Sequence, residues 1–255
     1  MRRRDDLPHY SRGNSQLSPD PSIRDRLRGR LTSDVLSIWD EFETAWGKPI
    51  GVDLIREADR SPGAAAGLRL EPEPMIVVLD PDQTGDPSIL HELLHFRRYF
   101  LDCVPRVYLP VRDASEQTWQ EAEQVSRLDN DIEHLLIVPE QVAHGYANLP
   151  FWLDGIRKNL TSAPRGRDAL RWHGMYALLQ AMTLRDQDLM SSARDWIEPY
   201  EFLEDAEAFC EEALSRLGDK TALIELVLTV APVRDSLVRL KQYDRTSARF
   251  VTAVR

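Results

Sequence analysis

The sequence predicts an α+β fold that is predominantly α. A small sheet packs on a helix over roughly residues 87–103, and an all-helical C-terminal half follows. Three observations carry this. Met75-Ile-Val-Val-Leu79 is a compact β-branched run between Pro74 and Pro81, as a short strand requires. Asp86-Pro87-Ser88 is a helix start, with Asp at the N-cap and Pro at the first helical position. From Phe151 onward, apolar residues recur at helical spacing.

Residues 1–30 are rich in Arg, Asp, Ser and Pro and poor in large apolar groups. They bury too little surface to offset chain entropy, which predicts a flexible arm. Thr32 or Ser33 can cap a helix reaching Trp46, with Val35, Leu36, Trp39, Phe42 and Trp46 on one stripe and Gly47 as its stop. Ile50–Ile55 reads as a strand, and the Gly/Ala/Pro-rich stretch Ser61–Gly67 as a connection. The helix from Pro87 carries Ile89, Leu90, Leu93, Leu94 and Phe96, and Pro105 forbids its continuation past Cys103. Val107–Val111 is a strand or an extended connection. A second long helix spans about Ser115–Val138, with Ala122, Val125, Leu128, Ile132, Leu135 and Leu136 as its apolar stripe. Beyond it, helices are expected at about 151–160, 167–184, 200–217 and 221–242. Three regions follow: an arm (1–30), a core (31–150) and a helical region (151–255).

The chain has 255 residues and a net charge of −10, which argues against non-specific nucleic-acid binding through phosphate contacts. Only four of its 32 basic residues are lysines, an Arg bias expected of a GC-rich bacterial genome. No apolar run approaches the roughly 20 residues of a membrane span, and no h-region follows the Arg-rich start. Cys103 and Cys210 form no CxxC motif, so free thiols in a reducing cytoplasm are expected.

The chemistry concentrates in His91-Glu92-Leu93-Leu94-His95, an HExxH motif. Residues four apart lie one above the other on a helix face, so both imidazoles can bind one Zn²⁺. Glu92 lies about 100° around the helix and can reach a metal-bound water as general base. With six His in the chain, a chance HExxH has a probability on the order of 0.01.

Ile89-Leu90-His91-Glu92-Leu93-Leu94-His95-Phe96 resembles the active-site helix of zincin-type metallopeptidases. The resemblance implies that His91 and His95 ligate zinc and that Glu92 is the catalytic base. It covers this helix and, loosely, residues 50–145. The metzincin extension is absent, since Arg98 stands at its Gly position and Leu101 at its third His. In gluzincin-like members the third ligand is a Glu on a following helix. The polar cluster Asp129-Asn130-Asp131-Ile132-Glu133-His134 lies on such a helix. Glu133 is the first choice because it flanks the apolar stripe, with Asp129 and Asn130 one turn away to orient ligands. His134 and then Glu121 are the rivals. A fainter likeness to ImmA/IrrE-type peptidases rests on the strand, the HExxH helix and a ligand helix ending in Leu135-Leu136-Ile137-Val138-Pro139.

The resemblance therefore implies a cytoplasmic zinc metallopeptidase acting on a protein or peptide, with neither nucleic acid nor membrane as partner. The competing expectation is a partner-binding module with a structural or vestigial zinc. His144, Tyr146, His173 and Tyr176 are candidate oxyanion donors, each more readily a structural residue.

Overall fold

Met75–Val78 forms the central strand of the first sheet, as its β-branched composition predicts. The structure, a computed structural model, describes residues 21–55, 65–110, 116–145, 149–162, 164–234 and 238–253. The fold is α+β and predominantly α. The chain divides into two compact units, Met1–Arg97 and Arg98–Arg255, so the division falls at the end of the HExxH helix rather than near residue 150.

The first unit contains α1 (Pro21–Arg28), α2 (Ser33–Trp46), β1 (Gly51–Leu54), β2 (Ala66–Arg69), β3 (Met75–Val78) and α3 (Asp86–Phe96). Strand order is β1-β3-β2, with β1 parallel and β2 antiparallel to β3. Strand β2 lies where only a connection was expected. Met75, Ile76 and Val78 are buried, as are Val35, Trp39 and Phe42 of α2. Trp46 meets Phe96 edge-on, with ring centroids 5.5 Å apart. Glu43 ties three elements together: its carboxylate accepts from Arg24 Nη2 at 2.8 Å, Trp39 Nε1 at 2.7 Å and the Ile50 N–H at 2.7 Å. Gly47 ends α2 with φ +81°, a left-handed conformation that glycine adopts without a Cβ penalty.

Two expectations fail here. Residues 21–28 of the expected arm are helical, and Ile23 and Leu27 are buried. Two apolar residues four apart suffice to dock one helical face although the composition is polar. Residues 1–20 lie outside the described residues. Gly85, not Asp86, is the N-cap of α3; the Asp86 carboxylate instead accepts from the Thr32 N–H at 3.2 Å.

The chain leaves α3 through a π-helical turn, Arg97–Leu101. The second unit then contains β4 (Arg106–Tyr108), α4 (Glu116–Ala143), α5 (Leu149–Thr161), α6 (Arg167–Leu184), α7 (Gln187–Ile197), α8 (Leu203–Ser215), α9 (Lys220–Leu228), β5 (Arg239–Asp244) and β6 (Arg249–Thr252). Its core gathers the inner faces of α4 to α9 with Val107 and Leu240. Asp186 and Asp219 cap α7 and α9, accepting from Leu189 N at 2.8 Å and Ala222 N at 3.1 Å.

The C-terminal half is not all helical. The helix expected to run to residue 242 stops at Leu228, and β5 and β6 pair antiparallel with each other, while β5 pairs antiparallel with β4. Along Arg239-Leu240-Lys241-Gln242-Tyr243 the buried positions are Leu240 and Tyr243, which is helix spacing and in the strand places the two on opposite faces. Pairing with β4 decides for the strand, and Pro232 helps to end the helical run. Helix α7 is an addition to the expected set.

Candidate metal centre

In the first unit, α3 is amphipathic only weakly. Ile89, Leu90, Leu93, Leu94 and Phe96 bury almost all of it. That burial fixes the helix, and the helix fixes the motif. His91 and His95 fall on consecutive turns of one face. Their rings lie with centroids 4.9 Å apart at 82°, and each offers a ligand atom within 4.8 Å of the other's. Two imidazoles so placed are a two-point ligand set for one divalent cation. Glu92 lies on the next flank and is only 8% exposed. Burial pushes its carboxyl up to about 8, because a low-dielectric surrounding disfavours the charged form. A carboxyl held near neutral pH is suited to exchange protons.

In the second unit, α4 carries the residues expected to supply a third ligand. Glu133 does turn inward and is fully buried. Its carboxylate accepts from Arg98 Nε at 2.6 Å and lies 2.5 Å from Lys220 Nζ. One turn earlier, buried Asp129 accepts from Tyr99 Oη at 3.1 Å, Arg106 Nε at 2.9 Å, the Val107 N–H at 2.9 Å and Lys220 Nζ at 3.3 Å. Burial raises the Asp129 carboxyl, but Lys220, Arg106 and the Val107 N–H outweigh it and hold it below the usual carboxylate range. Burial, Asp129 and Glu133 together push the Tyr99 hydroxyl well above its ordinary value. Both carboxylates thus belong to one closed ionic cluster that joins α4 to β4, α9 and the π-helical turn. Asp129, expected to orient a ligand, is the centre of that cluster.

His134 has a different setting. It is half-buried, with Nδ1 3.4 Å from Asn130 Nδ2 and its ring edge-on to Trp152 at 5.1 Å. Glu121 is paired with Arg234 and accepts from Gln117 Nε2 at 3.3 Å. Among the expected oxyanion donors, His144 lies 3.9 Å from Glu140. His173 Nε2 lies 2.6 Å from the Asn159 carbonyl. The Tyr176 hydroxyl donates to the Asp131 carbonyl at 3.1 Å. Tyr146 falls outside the described residues.

Lys220 and Arg98 are the participants that sequence reasoning missed. The available signal was Lys220 itself, one of four lysines, beside a cap residue at the head of the apolar run Ala222-Leu223-Ile224. A cation there is buried unless it projects away. Both cysteines are free thiols, and burial pushes Cys210 up to about 12. Among the described residues, no helix is long and apolar enough to cross a membrane. In comparisons with known proteins the chain matches no family model, no curated protein and no solved structure.

Proposed function

We propose that the chain is a zinc-dependent metallopeptidase. The observation that carries this reading is the face of α3 on which the His91 and His95 rings stand 4.9 Å apart, with buried Glu92 on the adjoining flank. The donor set suits zinc: imidazoles at i and i+4 with a neighbouring carboxyl that need not ligate. When bound, zinc supplies Lewis-acid activation of water and of a peptide carbonyl.

His91 and His95 hold the ion, and the burial of α3 keeps both rings in place. Glu92 takes a proton from the attacking water and returns it to the leaving amine. Burial holds Glu92 neutral at pH 7 in the metal-free chain; a dication on the flanking imidazoles would favour its charged form. Glu92 is therefore a base only in the loaded protein. Glu133, the third ligand expected from the sequence, is already held by cations of its own unit. Releasing Glu133 would strand Lys220 and Arg98, and breaking a buried pair costs about 3–5 kcal/mol. The substrate is a protein or peptide, and two free thiols fit the cytoplasm as compartment.

Elemental analysis and a peptide-library digest test this reading together. The wild type should carry about one zinc per chain. His91→Ala should lose metal and activity. Glu92→Gln should keep the metal and lose at least ~10²-fold in hydrolysis, the usual size of a general-base contribution. A zinc-free wild type, or a Glu92→Gln protein that still cleaves, refutes the assignment.

A further inference from the structure

We propose that the aromatic ledge at the end of α7 docks an arginine-bearing peptide segment of a partner protein, with guanidinium groups stacked on Tyr200 and Trp196 and paired with the carboxylates around them. The ledge follows from local sequence. Helix α7 ends at Ile197, and the 3₁₀ turn Glu198–Tyr200 leads through Glu201 to Phe202, the N-cap of α8. Glu201 adopts φ +61°, and its N–H donates to the Glu198 carbonyl at 3.1 Å. The turn is therefore closed on itself and fixes the direction of Tyr200.

The rings form a row. Trp196 and Tyr200 have centroids 5.1 Å apart, and Tyr200 and Phe202 lie 6.4 Å apart at 27°. Gly174 of α6 seats them. A Cβ at that position would lie 2.9 Å from Trp196 Cζ3 and 3.3 Å from Phe202 Cζ, so its absence lets both rings rest on the helix backbone. His173 ends the row, 5.4 Å from Trp196, with Nε2 2.6 Å from the Asn159 carbonyl. Beneath the ledge Ile197, Ala206 and Phe209 are buried in the core of this unit. Above it Tyr200 is 44% exposed, and Trp196 and Phe202 are half-buried. Large rings held open to solvent in one contiguous row mark a docking surface more than a core.

Charge selects the occupant. Residues 195–205 hold Asp195, Glu198, Glu201, Glu204 and Asp205 and no Lys or Arg. Asp205 pairs with Arg171 at 2.8 Å, and Arg194 of α7 pairs with Glu207 at 2.8 Å, so these neighbouring cations are already neutralised. Asp195, Glu198, Glu201 and Glu204 are exposed, and no ion pair among the described residues engages them. Ring faces carry negative potential and carboxylates full charge, so both attract a cation. A guanidinium is weakly hydrated, stacks on rings and presents a planar fork to a carboxylate, whereas an ammonium is a strongly hydrated point charge. Arginine is therefore the better fit. A quaternary ammonium headgroup would satisfy the rings but has no N–H for the carboxylates. A second copy of the chain would bring the same acidic patch against itself in a two-fold pairing, with like charges opposed.

Fluorescence anisotropy of the full chain with a fluorescein-labelled oligoarginine peptide tests this, with mass spectrometry to confirm that the probe stays intact. An oligolysine of equal length and phosphatidylcholine vesicles are the comparators. A chain of net charge −10 attracts any polycation, so the arginine-over-lysine preference is the diagnostic readout. Saturable oligoarginine binding is expected at about 0.15 M salt, at least ~3-fold tighter than oligolysine. Tyr200→Leu should weaken it about 2- to 5-fold and shrink that preference. Glu198→Gln/Glu201→Gln should weaken it at least ~3-fold. Glu41→Gln/Glu225→Gln removes the same charge from exposed positions on α2 and α9 and should change affinity by less than ~1.5-fold. Circular dichroism checks each fold, and the two glutamine pairs, all at exposed positions, carry the test if Tyr200→Leu does not fold. Equal affinity for arginine and lysine, no effect of the Glu198/Glu201 pair beyond that of the Glu41/Glu225 pair, or an unchanged Kd in folded Tyr200→Leu overturns the proposal. So does binding to the vesicles but not to oligoarginine, or self-association that Tyr200→Leu abolishes.

Discussion

Lys220→Met removes one cation from the buried cluster and leaves its packing volume nearly unchanged. Lys220 Nζ lies 2.5 Å from Glu133 Oε1 and 3.3 Å from Asp129 Oδ1, and all three side chains are at most 2% exposed. Breaking a buried ion pair by removing one partner costs about 3–5 kcal/mol. Here both carboxylates keep other donors: Asp129 keeps Arg106, Tyr99 and the Val107 N–H, and Glu133 keeps Arg98. The remaining two guanidinium groups still balance the two carboxylates. The cost should therefore lie near the lower end, about 3 kcal/mol, a large share of a stability of about 5–15 kcal/mol. The sign with pH follows from Asp129. Its carboxyl is held below the usual range in the fold, so its contribution is present above the unfolded value and is lost as pH falls through the folded one. Without Lys220 that depression shrinks, and the loss begins at higher pH. Urea unfolding of both proteins at pH 7 and across the acid range measures this. The gap should narrow as pH falls through the folded value of Asp129, where its contribution is lost. A gap under about 1 kcal/mol at pH 7, or one that persists undiminished in acid, refutes the view that Lys220 is an electrostatic keystone.

Glu92→Gln should stabilise the metal-free protein, and increasingly so as pH rises. The Glu92 carboxyl is raised from 4.5 to about 8, so its neutral form favours folding below pH 4.5 and that contribution is lost as pH climbs through 8. Thermal unfolding in chelator should show no difference at about pH 4.5 and about 2–5 kcal/mol at about pH 9, whereas a pH-independent difference would contradict the buried setting. Gly174→Ala should destabilise by about 1 kcal/mol despite alanine's better helix propensity. Its Cβ would lie 2.9 Å from both Ile197 Cγ1 and Trp196 Cζ3, Ile197 is fully buried, and overpacking costs about 1–3 kcal/mol. Equal or higher stability in urea would mean that the α6–α7 contact relaxes freely.

The elements that could be read from sequence are those whose signal is local. Asp86-Pro87 placed the start of α3 within a residue, Gly47 placed the end of α2, and the apolar period placed α6 at 167–184. The misreadings share another cause. Leu240 and Tyr243 sit three apart, which is helix spacing and in a strand puts them on opposite faces. What makes them a strand is pairing with β4, far earlier in the chain. Nothing local to residues 239–252 encodes that partner. Strand β2 was hidden for the same reason, because Ala66-Gly67-Leu68-Arg69 has little β propensity and owes its conformation to β3.

The motif face of α3 was legible because i, i+4 spacing is helix geometry and needs no tertiary information. The role of Glu133 was not. Its position on the wheel correctly turned it inward, and an inward carboxylate needs a cation. The sequence offers two kinds of cation for that task, a bound metal or a basic side chain from elsewhere, and the helix pattern cannot distinguish them. Lys220 stands 87 positions away and Arg98 stands 35, one beyond the reach of any periodicity and the other hidden by its place after the motif. A ligand assignment from helix position alone therefore reduces to asking which cation arrives first. For Glu133 two basic side chains already sit within 2.6 Å, and a metal would have to displace both. His134 is governed by different chemistry, because an imidazole is neutral when it ligates and needs no counter-charge to be half-buried. The contrast between these adjacent residues explains why a carboxylate that looks like a ligand in sequence can be structural, while the less central histidine beside it keeps a ring suited to a metal.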